Sequence, residues 1–230
     1  MFDLFTPEGI LDILYSIPAI LFCLSIHEFS HGYIASKLGD PTARNFGRLT
    51  LNPAKHIDPI GFIALIVAHF GWAKPVPVNM RYFKKPKRDM ALTAIAGPVS
   101  NLLSAFVFGF VYALVVRLAI GYATVHFQDM TPQVDALWTA GISIAANFFY
   151  INISLAIFNL IPIPPLDGSR ILDSVLPQKA YVAYHKYEQY ISIILLVVLL
   201  ATDILDPILS GAVSRISEVL LYIPEKVFLS

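Results

Sequence analysis

Charge and cysteine are what this chain has least of. Asp, Glu, Lys and Arg make up 14% of its 230 residues, where a soluble domain carries about a quarter. Hydrophobic residues make up 57%. An ordinary soluble globular domain is thereby excluded, and one membrane-embedded body is implied. The single cysteine, Cys23, permits no disulfide within the chain and no cysteine-based zinc site. Any metal must therefore be held by His and carboxylates. Formal net charge is zero, so the basic footprint of a nucleic-acid binder is missing. The N-terminus has no basic stretch ahead of its first apolar run, which argues against a cleaved signal peptide. No internal repeat or low-complexity linker divides the chain.

Long apolar runs are present instead. Crossing a hydrocarbon core of about 30 Å takes about 20 residues. Runs at 8–38, 90–120 and 136–161 meet that length, and 190–205 is shorter but continuous. The apolar piece at 60–72 has only 13 residues, which suits a re-entrant or interfacial segment better than a crossing. Residues 46–51 alternate like a short strand, and 74–79, with Pro75 and Pro77, read as an extended edge strand. In the tail, Val213, Ile216, Val219, Leu220 and Ile223 recur at helical spacing around Arg215 and Glu218. That pattern fits an amphipathic helix on the membrane surface or on the bundle. The expected fold is an all-α polytopic membrane protein. It has about four transmembrane helices, a re-entrant or β-hairpin segment, and a C-terminal amphipathic helix. Residues 1–205 form the expected embedded core, with a loop region at 42–88, and 206–230 form the tail.

Charge placement orients these segments. Ten of the 16 Lys and Arg residues lie between Lys37 and Arg88, and none lies in 121–135. Positive loops stay in the cytoplasm. The expected path puts the N-terminus outside, 37–88 inside, 121–135 outside, 164–189 inside and the tail outside. It requires that 60–72 not cross.

The chemistry begins at His27-Glu28-Phe29-Ser30-His31 in the first run. Two His four residues apart on a helix project from one face, about 6 Å apart along the axis. Such a pair can hold one zinc, with Glu28 as general base on a bound water. Ionisable groups at membrane depth cost several kcal/mol unless paired, which marks them as functional. A polar network between helices is the plainer alternative. Zinc needs a third protein ligand and an open position. The candidate stretch is 158–168, at the cytoplasmic end of the third run, level with the His pair. Pro162, Pro164 and Pro165 free backbone groups there, which is tolerated where the chain lines a cavity. Taken alone, Asp167-Gly168 is an ordinary turn. In the second run, Ala96-Gly97-Pro98-Val99-Ser100-Asn101 offers small residues for close helix packing. Asn101 is able to bond another helix or a substrate backbone. His56 with Asp58 reads as a loop anchor or an outer-shell pair. His69, His126 and His185 read as satisfied surface or interface groups, and Phe148, Phe149 and Tyr150 as packing.

The order His-Glu-x-x-His, Gly-Pro-x-x-Asn, then Asn-x-x-Pro-x-Pro-x-Leu-Asp-Gly resembles the site-2 protease family of intramembrane zinc metalloproteases. The motifs are His27 to His31, Gly97 to Asn101 and Asn159 to Gly168. Residues 51–59 and 72–79 are similar to the short bacterial and archaeal members. The resemblance extends over about residues 10–190, with no room for PDZ or CBS domains. It implies one zinc per chain held by His27, His31 and Asp167, with Glu28 as base. It also implies that Asn159, and with it Asn101, binds the scissile peptide or stabilises the oxyanion. The implied activity is cleavage within or near transmembrane segments of membrane protein substrates, at the cytoplasmic side of a bacterial or archaeal membrane. A non-proteolytic membrane zinc-binding protein is the alternative. A metal carrier would spread polar residues along several helices, and here they gather at one depth.

Overall fold

Local chemistry sets where the long helices begin. Thr6 accepts a hydrogen bond from Gly9 N–H at 3.1 Å, with Pro7 next to it at the first helical position. Thr131 caps the fifth helix in the same way, from Val134 N–H at 3.3 Å and ahead of Pro132. Both use a side-chain oxygen for an orphan amide and a proline where no amide is needed. The computed structural model describes residues 6–68, 71–126, 130–202 and 206–229. Its helices are α1 (Pro7–Lys37), α2 (Thr42–Asn45), α3 (Pro59–Ala68), α4 (Pro86–Val125), α5 (Pro132–Asn159), α6 (Asp167–Val175), α7 (Gln178–Ala201) and α8 (Asp206–Phe228).

Among the described residues three helices, α1, α4 and α5, are long and apolar enough to cross a membrane. They cover the runs expected at 8–38, 90–120 and 136–161, and they pack on one another. The fourth expected run coincides with the second half of α7, a helix that begins twelve residues earlier in a polar stretch; residues 203–205 lie outside the described ones. The tail is helical as expected, and it lies on the bundle, against α4 and α5. There Leu221 joins Ala105, Phe149 and Ile153 in the buried core. Small residues on α4 allow this approach: at Gly109 an added Cβ would stand 3.3 Å from the Phe149 ring and 3.5 Å from Leu221. Where lipid tails are as apolar as the side chains, close packing of this kind drives helix association.

The connection between α1 and α4 departs from expectation in two places. Residues 46–51 form no strand. Gly47 adopts a left-handed φ of 64°, and Arg48 N–H turns back to Ala43 O at 2.8 Å. A glycine in that conformation ends α2 in a turn instead of extending it. Residues 74–79 are extended, yet they join no ladder. Pro75 and Pro77 have no amide to donate. Val76 N–H goes to Glu28 and Asn79 N–H goes to Asp40, at 2.7 and 2.6 Å. Among the described residues the β pairing is one isolated antiparallel bridge, Ile57 to Ala73. That bridge brings the two ends of the α3 excursion together, so the chain leaves and returns at one point.

Phe149 is fully buried between three helices, so Phe149→Ala leaves a cavity at the junction of α4, α5 and α8. Loss of about 3 kcal/mol is expected, measured as a lowered Tm of the purified protein in detergent.

Candidate active site

His27 and His31 lie one helical turn apart on the buried face of α1, with ring centroids 4.6 Å apart. Each ring is oriented from behind. His31 Nδ1 stands 2.7 Å from the Thr93 carbonyl oxygen on α4. A carbonyl oxygen only accepts, so Nδ1 carries the proton. His27 Nδ1 stands 2.6 Å from Asn101 Oδ1. The Asn101 amide nitrogen donates to Cys23 O at 3.2 Å and to Asn152 Oδ1 at 2.8 Å. Its oxygen is thereby left to accept from His27. Both Nε2 atoms then turn toward Asp167, whose Oδ2 lies 3.0 Å from His27 and 3.2 Å from His31.

Two close approaches create this meeting point. At Gly97 an added Cβ would fall 2.5 Å from His31 Nε2 and 2.6 Å from His27 Cε1. Only a residue without a side chain lets α4 pass this near to both rings. At Gly168 an added Cβ would fall 2.3 Å from Leu160 O and 2.4 Å from Ile161 O. The start of α6 therefore tucks under the end of α5, which carries Asp167 to α1.

With both Nδ1 protons committed, two Nε2 lone pairs and a carboxylate oxygen converge. Three acceptors at such distances require positive charge between them, a proton or a metal ion. The donor atoms all lie within 4.8 Å of one another. Tetrahedral zinc bonds of about 2.0–2.1 Å place neighbouring ligand atoms about 3.3 Å apart. The observed 3.0 and 3.2 Å separations match that edge. Oriented imidazoles with a protonated, hydrogen-bonded Nδ1 are also what metal sites use. Glu28, 9% exposed, stands beside them. Its Oε2 accepts Val76 N–H at 2.7 Å.

Other expected residues fall elsewhere. Asn101 is fully buried, and its amide is committed between helices on His27, Cys23 and Asn152. Asn159, the last residue of α5, donates to Leu155 O one turn back in its own helix, at 3.0 Å. Among the described residues it shares no hydrogen bond with the cluster. His56 bonds Thr50 O at 2.7 Å, and Asp58 caps α3 through the amides of Ile60 and Gly61; both anchor the loop. His185 pairs with Asp173 at 3.4 Å. His126 stacks on Tyr122. His69 lies outside the described residues.

The model of peptidase family M50 matches residues 15–202. The chain belongs to peptidase family M50. This is the site-2 protease family that its motifs resemble, and the chain is a metalloprotease of that family. YwhC of Bacillus subtilis, named as a zinc metalloprotease, is 40% identical over 86% of this chain and 86% of its own length. Rip2 of Mycolicibacterium smegmatis, named likewise, is 30% identical over 81% of this chain and 66% of its own length. MJ0611 of Methanocaldococcus jannaschii, also named a zinc metalloprotease, is 29% identical over 73% of this chain. No solved structure matches the chain. The M50 match together with three apolar helices makes it a multi-pass membrane protein. Helix α8 lies beyond the matched residues.

Three contributors to this cluster escaped the sequence reading. Asn152, fully buried, holds the Asn101 amide. A lone Asn in an apolar run is costly at membrane depth unless paired, and that was an available signal. Thr93 and Val76 contribute backbone atoms, which have no sequence signature. Gly97→Ala is expected to fold while displacing both rings. Metal affinity should fall by about 10- to 100-fold, as when groups behind a ligand are disturbed, and titration of the apo protein with zinc under a competing chelator measures it.

Proposed function

We propose that the chain is an intramembrane zinc protease that hydrolyses peptide bonds within or near the transmembrane segments of membrane proteins, the chemistry of regulated intramembrane proteolysis. One observation carries this reading. Three acceptors that require a cation converge beside a carboxylate, at a depth reached by apolar helices. Gly97 lies nine residues, about 14 Å of helix, beyond Arg88 at the basic end of α4.

In this reading His27, His31 and Asp167 hold one zinc per chain. When bound, zinc supplies a Lewis acid that lowers the pKa of a water toward about 7 and polarises a carbonyl. Glu28 takes the proton from the attacking water and passes it to the leaving amine. Val76 N–H holds Glu28 Oε2, leaving Oε1 to face the water. Asn101 acts through His27 by fixing its tautomer. Asn159, half-buried at the end of α5, is placed to meet the unwound substrate once its amide leaves Leu155. The substrate helix has to unwind, because helical hydrogen bonds hide its carbonyls. The extended segment 74–79 lies against Glu28, and the substrate is laid alongside it.

The second half of α7 supplies the fourth crossing, and the α3 excursion re-enters without crossing. Water and the active site then face the cytoplasm of a bacterial or archaeal cell, the side of the Lys- and Arg-rich segment 37–88.

Two variants test the mechanism on a panel of single-span substrates. Glu28→Gln is expected to keep one zinc per chain and lose cleavage by at least 10³-fold. Asp167→Ala is expected to lose zinc by metal analysis. Cleavage at the wild-type rate in Glu28→Gln removes Glu28 as base, and normal zinc content in Asp167→Ala removes that ligand.

A further inference from the structure

A second feature of the molecule lies outside the metal cluster, where α4 and α6 diverge. It is a groove of about 700 Å³. Its rim is formed by Lys85, Lys87 and Arg88, and its floor by Leu92 and Ile95 of α4 and Ile171 of α6. The two carboxylates near the rim are buried and engaged. Asp89 pairs with Arg88 Nη2 at 2.6 Å and accepts Lys85 N–H at 2.9 Å. Asp173 stands 3.4 Å from His185 and 3.7 Å from Arg170. The charge presented outward is therefore positive. Lys87 lies over the Tyr181 ring at 5.0 Å and reaches Leu176 O at 3.5 Å, which holds its ammonium at the groove mouth.

The floor does not end with the groove. Leu92, Ile95, Val99, Leu103, Val107 and Val111 are each 39–64% exposed. They recur every three or four residues, so they form one stripe along α4. No Asp, Glu, Lys or Arg occurs between Met90 and Val116. A cationic rim thus opens onto an apolar track running into the membrane. The matching ligand has a negative head and a hydrocarbon chain. A free phosphate or a nucleotide would leave that track uncovered.

We propose that this groove binds one anionic phospholipid, its phosphate at Lys85 and Lys87 and one acyl chain along the α4 stripe. Basic pockets between membrane helices suit anionic head groups, and the apolar chain adds burial. The lipid contacts Ile171 on α6, four residues after Asp167, and so braces the short helix that brings Asp167 to α1.

Native mass spectrometry of the full chain in neutral detergent tests the site, with dioleoyl phosphatidylglycerol and dioleoyl phosphatidylcholine supplied in equal amounts. One phosphatidylglycerol per chain is expected, retained at least tenfold over phosphatidylcholine. The double variant Lys85→Gln, Lys87→Gln should lower that retention at least tenfold. Ile171→Trp, which fills the floor and keeps every charge, should lower it as well. A control pair, Lys37→Gln with Lys55→Gln, should leave it unchanged. Equal retention of the two lipids overturns the proposal. So does an equal loss in the control pair, which would mean diffuse attraction, or no loss in Ile171→Trp. Full displacement by 10 mM inorganic phosphate would assign the rim to a free anion instead.

Discussion

Polar groups buried inside an apolar bundle have to satisfy one another, and the structure is arranged around that constraint. His27, Glu28 and His31 are buried on the inner face of α1. Helix α4 answers with the Thr93 carbonyl and Asn101, α5 with Asn152, α6 with Asp167, and the extended segment with Val76 N–H. Four separate elements thus supply partners to one helix face. At low dielectric an unmet donor or acceptor is expensive, and a fully met network is rigid. The same bonds that hold the helices in register therefore orient the imidazoles and the carboxylate of the proposed zinc protease site.

Small residues make this possible. A side chain at Gly97 would occupy the space of two imidazole rings, and one at Gly168 would push α6 off the end of α5. Neither glycine has a side chain to contribute, yet both decide whether the three acceptors can meet. Further along α4, Ala105 and Gly109 admit Phe149 and Leu221, so α8 closes the bundle away from His27, His31 and Asp167. The lipid-facing side of α4 is left with larger apolar residues, and its basic end with the groove.

Much of this was legible in the residues. Apolar runs located α1, α4 and α5 to within a few residues, because a bilayer crossing sets a minimum length and each helix begins at a proline, Pro7, Pro86 and Pro132. His-Glu-x-x-His named its own face of a helix, since spacing alone orients residues four apart. The bland readings of His56, Asp58 and Phe149 agree with the structure for a similar reason: loop anchors and core aromatics follow local pattern. Local pattern misled at 46–51, where alternation resembled a strand and Gly47 instead turned the chain. It misled in part at 74–79, where the extended backbone was foreseen and its partner, a carboxylate in place of a strand, was not. The polar start of α7 was also hidden, because an apolar-run criterion sees only the half of a helix that lipid would touch.

The sequence by itself determined the membrane character, three long helices, the pairing of His27 with His31, and the family. These depend on composition and on spacing along one element. Only the tertiary structure decided that Asp167 faces those imidazoles, that Asn101 and Asn152 are spent behind His27, that Val76 holds Glu28, and that the tail lies on α4 and α5. Each of these joins residues far apart in the chain. They depend on how near two backbones come, and that distance is set by the absence of side chains at Gly97, Gly168 and Gly109, a property that no single segment displays.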